Sequence, residues 1–538
     1  MASIRRPLPP PLLSLSLVVA IVLLVAGGCA QGPSVVSPAA RKPIDRSLVD
    51  YPGGVVLKEV VRNLTAPCDF EEDAEGNWII AESGMGGYDP RIFMVKKDGS
   101  ISTIYPSSSK YKIPDVAPFS LVDTRFHIYG PIGGICVENG KIYVTHRDAG
   151  GNGVVTAFGY DSSHTTIAAA LPAQGDNGMS DIVMGPDGRL HFGVGSPTNS
   201  GVVGLDNWHW VKFHPEVCDK SYFDLKLNGY HFKSKNPDSG LFGAPEIAVT
   251  APFQPFNVSS QTRIRRNSTP TGAIYSADPN GGALSVDAHG IRCPRGLAYS
   301  EFGNLFMTNQ GMELRGTRPI ADDPDAMVKV TKGTWYGFPD YSADLNPITD
   351  DRYQPQGKAK QLLIASGYPE VSNLIDHNAS NNNQGTIAPL HNLLQATFQP
   401  LSGAGRFDFV PDHGPLAEYR GSAIVPLSGD RSPFATSGQK LVEPQGFRIV
   451  RVDPTTHEVT DFIRNTKGKP SSLLPEDQGL LERPVAVKFG RDGSMYIVDL
   501  GRLDTKSDRF KVHAHTGRIF KLEAQTGGTT TKPTTTAK

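Results

Sequence analysis

One unit recurs along this chain and constrains its fold more than any other feature: a turn built around glycine, often as Asp-Gly, followed at once by a short run of β-branched and aromatic residues. It appears as EGNWIIAES from Glu75, ENGKIYVTHR from Glu138, PDGRLHFGVG from Pro186, EFGNLFMTNQ from Glu301, YRGSAIVPL from Tyr419 and RDGSMYIVDL from Arg491. Turn-bounded partner strands precede these units, as in GPIGGICV, NGMSDIVM, CPRGLAYS and ERPVAVKF. A further strand type closes some of them, as in RIFMVKKDG, VVTAFGYD, FRIVRVDP and GRIFKLEA. Small antiparallel groups on a recurring glycine beat are the signature of radial closure, which leaves only short, protected strand edges. Six units predict an all-β fold, a six-bladed β-propeller.

The intervals between units are uneven, and the excess reads as two long inter-strand insertions, His214 to Pro279 and Asp340 to Phe407. The second includes the polar segment DHNASNNNQG, which has no apolar period. Insertions in a repeat fold map to loops on one face, often the binding face, although each is equally readable as plain surface loop. The 57 glycines and 43 prolines punctuate the whole chain, and almost no fifteen-residue run keeps a clean helical period. Residues 51–525 are therefore assigned to the propeller, and the Thr-rich tail 526–538 to disorder.

The first thirty residues stand apart. Arg5 and Arg6 precede an apolar run from Leu12 to Ala26, then Gly27, Gly28 and Cys29. A basic start, a short apolar core and small residues directly before a cysteine read as a signal peptide over 1–28, followed by a linker over 29–50. Such a segment resembles a bacterial lipoprotein signal, which would put a lipid on Cys29; the alternative is an uncleaved N-terminal membrane anchor. Both place the body of the protein outside the cytoplasm, anchored at a membrane.

A net charge of −1 supplies no field to recruit nucleic acid, and no basic stripe carries interleaved aromatics. Beyond Cys29 there are four cysteines, Cys68, Cys136, Cys218 and Cys293, with no CxxC or CxxCH spacing. That argues against a zinc knuckle or covalent haem and suggests one or two disulfides, with pairing undetermined. Asn63, Asn257, Asn267 and Asn378 each begin an N-x-Ser/Thr sequon, meaningful only in a eukaryotic secretory setting.

Arg292, in HGIRCPRGLAYSEFGNLFMTNQG, lies in the turn entering the innermost strand of the fourth unit, and innermost strands line the channel. An arginine there must meet an anion, either an internal carboxylate or a ligand. Arg483 enters the sixth unit similarly, with Glu482 and Asp499 as internal alternatives. His146, Arg147 and Asp148 end an innermost-type strand and read as channel lining or a blade-stabilising network. Trp208, His209 and Trp210 read as an aromatic sugar platform or as a loop closed onto the rim.

The stretch GIRCPRGLAYSEFGNLFMTNQG, followed by DPDAMVKVTKGTWYGFPDY, resembles the soluble pyrroloquinoline-quinone (PQQ) dehydrogenases for aldoses and sorbosone. Those proteins carry a G-x-R-N-P-x-G-L turn, an acidic pair in a loop and a G-x-x-Y-G-W-P segment. The likeness extends to GPIGGICVENGKIYVTHR and LERPVAVKFGRDGSMYIVD. It implies a quinone over the channel mouth, with cationic side chains on its carboxylates and a calcium ion on its oxygens. Carried over by position, Arg292 keeps the turn arginine, Cys293 stands in place of asparagine, and Arg483 is a second mouth cation. Gly311 matches a glycine whose carbonyl helps hold calcium; Asp325 matches the first member of the acidic pair, and Ala326 has lost the second. Where the family has a proton-accepting histidine before the third turn, this chain has Asn177, and an amide accepts no proton at neutral pH. Asp176, Asp181 and His191 are the nearby substitutes, His191 reading more naturally as a strand residue between Leu190 and Phe192. The resemblance implies oxidation of an aldose, sorbosone-like sugar or polyol, with electrons passing to a membrane or periplasmic redox acceptor. The competing reading is a cofactor-free propeller that binds carbohydrate or a protein partner.

Overall fold

The computed structural model describes residues 41–106, 126–240, 244–259, 262–380, 388–506 and 509–525. The expected signal peptide with Cys29, most of the linker, part of the DHNASNNNQG segment and the Thr-rich tail lie outside the described residues.

Six antiparallel sheets follow one another in chain order. Blade one runs Pro67–Glu72, Trp78–Glu82, Arg91–Val95 and Ile101–Tyr105; blade two runs Tyr129–Glu138, Lys141–Arg147, Gly153–Gly159 and His164–Leu171. Blade three is Met179–Met184, Leu190–Val194, Ala273–Ala277 and Ser285–His289, and blade four is Pro294–Tyr299, Leu305–Asn309, Pro324–Lys329 and Leu394–Pro400. Blade five is Asp408–Phe409, Ala423–Leu427, Arg448–Val452 and Val459–Asn465. Blade six takes three strands from the C-terminal end, Pro484–Phe489, Met495–Asp499 and Gly517–Ala524, and its outermost strand from the N-terminal end, Val55–Leu64. The ring is closed by that pairing, from Val55 with Ala524 to Leu64 with Gly517. Val49–Asp50, within the stretch read as linker, pairs onto the outer edge of blade five.

The recurring glycines turn the innermost strand into the second one. Gly188 and Gly493 sit at φ +73° and +69°, and their N–H groups donate to the carbonyls of Gly185 and Gly490 at 2.9 Å. The preceding aspartates brace the same turns, Asp187 accepting from Arg189 N at 3.1 Å and Asp492 from Ser494 N at 2.9 Å. A left-handed third position favours glycine, and an aspartate beside it closes the turn with its own side chain, which is why Asp-Gly repeats. Between blades the sheets bury interlocking aliphatics, such as Ile79 and Ile92 of blade one against Ile135, Ile142 and Val144 of blade two.

Aspartates on alternate blades clip the innermost strands together. Asp69 accepts from its neighbour Phe70 N and from Ile135 N of blade two, both at 2.9 Å. Asp181 accepts from Ile182 N at 3.0 Å and from Leu297 N of blade four at 2.8 Å. Asp408 accepts from Phe409 N at 2.8 Å and from Phe489 N of blade six at 2.9 Å. Their charge is met inside the channel by Arg406, whose Nε lies 3.5 Å from Asp181 and 3.7 Å from Asp69, and by Lys488, bonded to Glu71 at 2.8 Å. Burial works against the Lys488 charge, but Glu71, Asp69 and Asp181 hold its pKa well above the usual lysine value.

Both insertions exist, with shifted bounds. The first occupies 195–272, between the second and third strands of blade three, and carries the short helix Trp208–Val211 and the hairpin Phe232–Lys235 with Ile247–Thr250. The second occupies 330–393 and carries the helix Gly357–Ala365. It stops before Leu394–Pro400, the outer strand of blade four, where buried Ala396 and Phe398 alternate with Gln395, Thr397 and Gln399. The fully buried Arg318 ties the insertions together through the carbonyls of Ser200 at 2.8 Å, Pro339 at 3.1 Å and Ser372 at 2.9 Å.

The expectation of one or two disulfides is corrected. Cys68, Cys136, Cys218 and Cys293 are all free thiols. They stand on different parts of the ring: the innermost strands of blades one and two, the first insertion, and the turn entering blade four. Cys68, Cys136 and Cys293 are buried, where a free cysteine behaves as a small apolar side chain.

Candidate functional site in the channel mouth

The loops entering the innermost strands converge at one end of the channel around a cavity of about 740 Å³. Every blade contributes to its wall: Gly84 to Tyr88 from blade one, Tyr129 and Arg147 from blade two, and Asn177 to Ser180 from blade three. Cys293, Arg295, Gly311 and Asp325 come from blade four, Ser428 and Arg431 from blade five, and Arg483 and Leu500 from blade six.

Two predicted cations are engaged by the scaffold. Arg292 donates to the Asn199 carbonyl at 3.0 Å, to Asn199 Oδ1 at 3.1 Å and to the Gln310 carbonyl at 3.3 Å, and lies 3.7 Å from Glu313. Its internal carboxylate is therefore Glu313. Arg483 donates to three successive carbonyls, Ser428, Gly429 and Asp430, at 3.1, 2.9 and 3.0 Å, and its guanidinium lies over the Phe447 ring. Arg147 donates to the carbonyls of Ala173 and Gly175 at 2.8 and 3.0 Å and covers the Trp210 ring at 4.6 Å. Trp210 lines the cavity with one face already occupied, while Trp208 packs edge-on against Phe256.

The uncommitted cation is Arg295, which sequence reasoning passed over. It lines the cavity and makes no hydrogen bond or ion pair among the described residues. Burial pushes its pKa down to about 10, with the like charge of Arg406 adding to the effect. Arg431 lines the same wall, exposed except for one bond to Glu313 at 2.7 Å. The signal was present in CPRGL: the second arginine of the turn sits one step into the channel-lining strand, whereas the first anchors the turn.

Acidic groups on the rim are paired. Arg315 contacts Asp176 at 2.8 Å, Asp206 at 2.7 Å and Glu313 at 2.5 Å. Burial opposes the Glu313 charge, yet Arg315, Arg431 and Arg292 hold its pKa well below the usual carboxylate range. Asp176, considered as a substitute base, also accepts from Asn207 at 3.1 Å, so both its partners are donors already in place. Asn177 faces the cavity and donates to the Ser196 carbonyl at 3.0 Å, leaving its Oδ1 as a neutral acceptor.

Asp325 and Gly311 meet as the spacing suggested, but through the main-chain N–H: Gly311 N donates to Asp325 Oδ1 at 3.0 Å. Asp325 Oδ2 accepts from Ala404 N at 2.8 Å and Ser402 Oγ at 3.2 Å. Burial pushes the Asp325 pKa up while these backbone donors oppose it. Asp325 therefore shapes the Gly311 turn, and the Gly311 carbonyl carries no hydrogen bond among the described residues. No group of three acidic, histidine or cysteine side chains among the described residues is arranged to hold a metal ion. Any hard cation here would rest on main-chain carbonyl oxygen and on oxygens of its own ligand. Cys293 contributes its N–H to Asn309 Oδ1 at 3.0 Å and a thiol 3.8 Å from Gln310 Oε1.

The remaining candidates are structural. Asp181 is fully buried in the channel as a blade clip. His191 lies between Asp287 at 3.1 Å and Asp187 at 3.2 Å, beside the glycine turn. His146 bonds the Arg147 carbonyl and Thr156 Oγ1, both at 2.8 Å, and burial pushes its pKa down to about 4. A histidine held neutral in the folded state contributes its full stability above about pH 6.5 and loses it as the pH falls towards 4. Replacing it by His146→Gln is expected to flatten the acid limb of the stability curve between those values by about 2 kcal/mol. Denaturant titrations at pH 7 and pH 4.5 check this; parallel losses in both proteins would refute it.

No protein-family model and no curated protein sequence matches the chain. Solved structures similar to it include the holo form of the pyranose dehydrogenase PQQ domain from Coprinopsis cinerea, at 14% identity over 90% of this chain and 99% of that one, with a TM-score of 0.48. A Trichoderma reesei carbohydrate-active enzyme of family AA12 shows 13% identity over 89% and 98%, with a TM-score of 0.47. The PQQ-bound aldose sugar dehydrogenase from Streptomyces coelicolor shows 13% identity over 88% and 99%, with a TM-score of 0.44. The six sheets of this chain establish its propeller independently of these likenesses.

Proposed function

We propose that this chain is a quinoprotein-type propeller whose channel mouth seats a carboxylate-bearing quinone of the PQQ class beside a sugar or polyol. The observation that supports the reading is Arg295: a guanidinium without a partner among the described residues, facing a cavity of about 740 Å³. Cationic side chains in such a cavity suit a carboxylate, and Arg431 stands on the same wall. The unbonded carbonyl of Gly311, braced by Asp325 through its N–H, is the chain's own oxygen for a calcium ion. When bound, the quinone would supply a two-electron acceptor for oxidation of an alcohol or hemiacetal carbon. Asn177 Oδ1 can accept a hydrogen bond from a substrate hydroxyl and orient it, but holds no proton.

That neutral position favours a second reading, a propeller that binds its ligand and does not turn it over. Calorimetric and spectral titration with PQQ, with and without calcium, tests both. Binding is expected, weakened about ten- to a hundredfold in Arg295→Ala, the loss of one charge-assisted hydrogen bond. No heat and no spectral change at high micromolar quinone would sink the quinoprotein reading. Tight binding without oxidation of aldoses or polyols would leave the second one.

A further inference from the structure

Below the mouth, two arginines crowd the neck of the channel. Arg406 is completely buried; its Nη1 donates to the Cys68 carbonyl at 3.0 Å, while Nε and Nη2 have no hydrogen-bond partner. Asp181 and Asp69 approach Nε at 3.5 and 3.7 Å, but their oxygens are committed to the backbone N–H groups they clip. Arg295 stands beside it on the neighbouring blade. The two strands touch, since a Cβ on Gly296 would meet the Gly405 carbonyl at 2.5 Å and Arg406 Cα at 2.7 Å. Gly405, Cys293 and Arg295 also line the mouth cavity, so the neck is open from above.

Two adjacent guanidinium groups with unused N–H donors, in a space walled by thiols and backbone, are unfavourable without a counter-ion. We infer that the channel neck between Arg295 and Arg406 is a binding site for a small monovalent anion, a halide ion or a free or ligand-borne carboxylate group. The site needs no quinone: it completes the hydrogen bonding of Arg406 and separates the two like charges. It is also selective by size, because the strand contact at Gly296 leaves no room for a bulky anion at that level.

The full chain is melted in sodium bromide, sodium formate and the sodium salt of MOPS at equal ionic strength, and crystals grown in bromide are measured at the bromine absorption edge. Bromide and formate are expected to raise the midpoint saturably by about 1–3 °C over MOPS, an effect absent in Arg295→Gln. An anomalous peak is expected between Arg295 and Arg406. Equal midpoints in all three salts, a rise that survives Arg295→Gln, or bromide peaks only elsewhere would overturn the site. If Arg295→Gln does not fold, the bromide peak in the unmodified protein decides. Free formate or bromide separates a free anion from one carried on a ligand, because quinone is absent from these samples. Loss of quinone binding with an intact bromide peak would overturn the proposed function and leave this site standing; the reverse outcome would do the opposite.

Discussion

A chain that begins at Thr65, lacking the strand Val55–Leu64, is expected to lose the cooperative fold of the propeller. That strand buries Val55, Leu57 and Leu64 against blade six, each less than 5% exposed. At roughly 1.5–3 kcal/mol for each fully buried aliphatic side chain, its removal costs about 5 kcal/mol before any backbone hydrogen bond is counted. It also bares the edge of Gly517–Ala524, an invitation to pair with other chains. Thermal melting of the shortened chain should show a midpoint at least about 10 °C lower or aggregation without a transition. Addition of the missing strand as a peptide should restore part of the loss. A midpoint within about 2 °C of the full chain would show that the closing strand is dispensable.

The second large effect is expected at Asp181. Asp181→Ala leaves the buried N–H groups of Ile182 and Leu297 without acceptors and removes the nearer of the two carboxylates beside Arg406. Each orphaned amide costs about 1–3 kcal/mol, and a buried charge stripped of a partner costs about 3–5 kcal/mol, so a total near 4 kcal/mol is a conservative expectation. Denaturant titration reads it as a drop in the midpoint at unchanged slope. Asp181→Asn keeps one acceptor oxygen and should fall between the two. A loss below about 1 kcal/mol in Asp181→Ala would mean that the clip between blades three and four contributes little.

The blade count was legible because a left-handed turn position and a following apolar strand leave a local signature, as at Gly188 and Gly493. Ring closure was not, because Val55–Leu64 pairs with residues at the far end of the chain and nothing local marks it as the last strand of blade six. The outer strand Leu394–Pro400 was absorbed into an insertion for a similar reason: it follows a long excursion and lacks the glycine turn. In the site, residue type told where an arginine enters the mouth but not what it bonds to. Arg292 and Arg483 satisfy themselves on carbonyls of distant loops, Asn199 and Ser428 to Asp430, which only the folded ring brings near. The same holds for Arg295, whose significance lies in partners it lacks.

The closing pairing also sets a clock. Lys58 and Glu523, joined across that sheet, are 465 residues apart in sequence. Bringing such distant segments together carries a loop-closure cost of roughly 5 kcal/mol, and no local contact offsets it in advance. During synthesis the first strand must wait, unpaired, until nearly the whole chain has been made. Formation of the ring is therefore a late, high-contact-order event with an exposed strand edge throughout the wait, a stage at which chaperone protection has most to offer. The same long-range contact protects the finished molecule: once blade six is zipped shut, the ring has no free end from which to unravel.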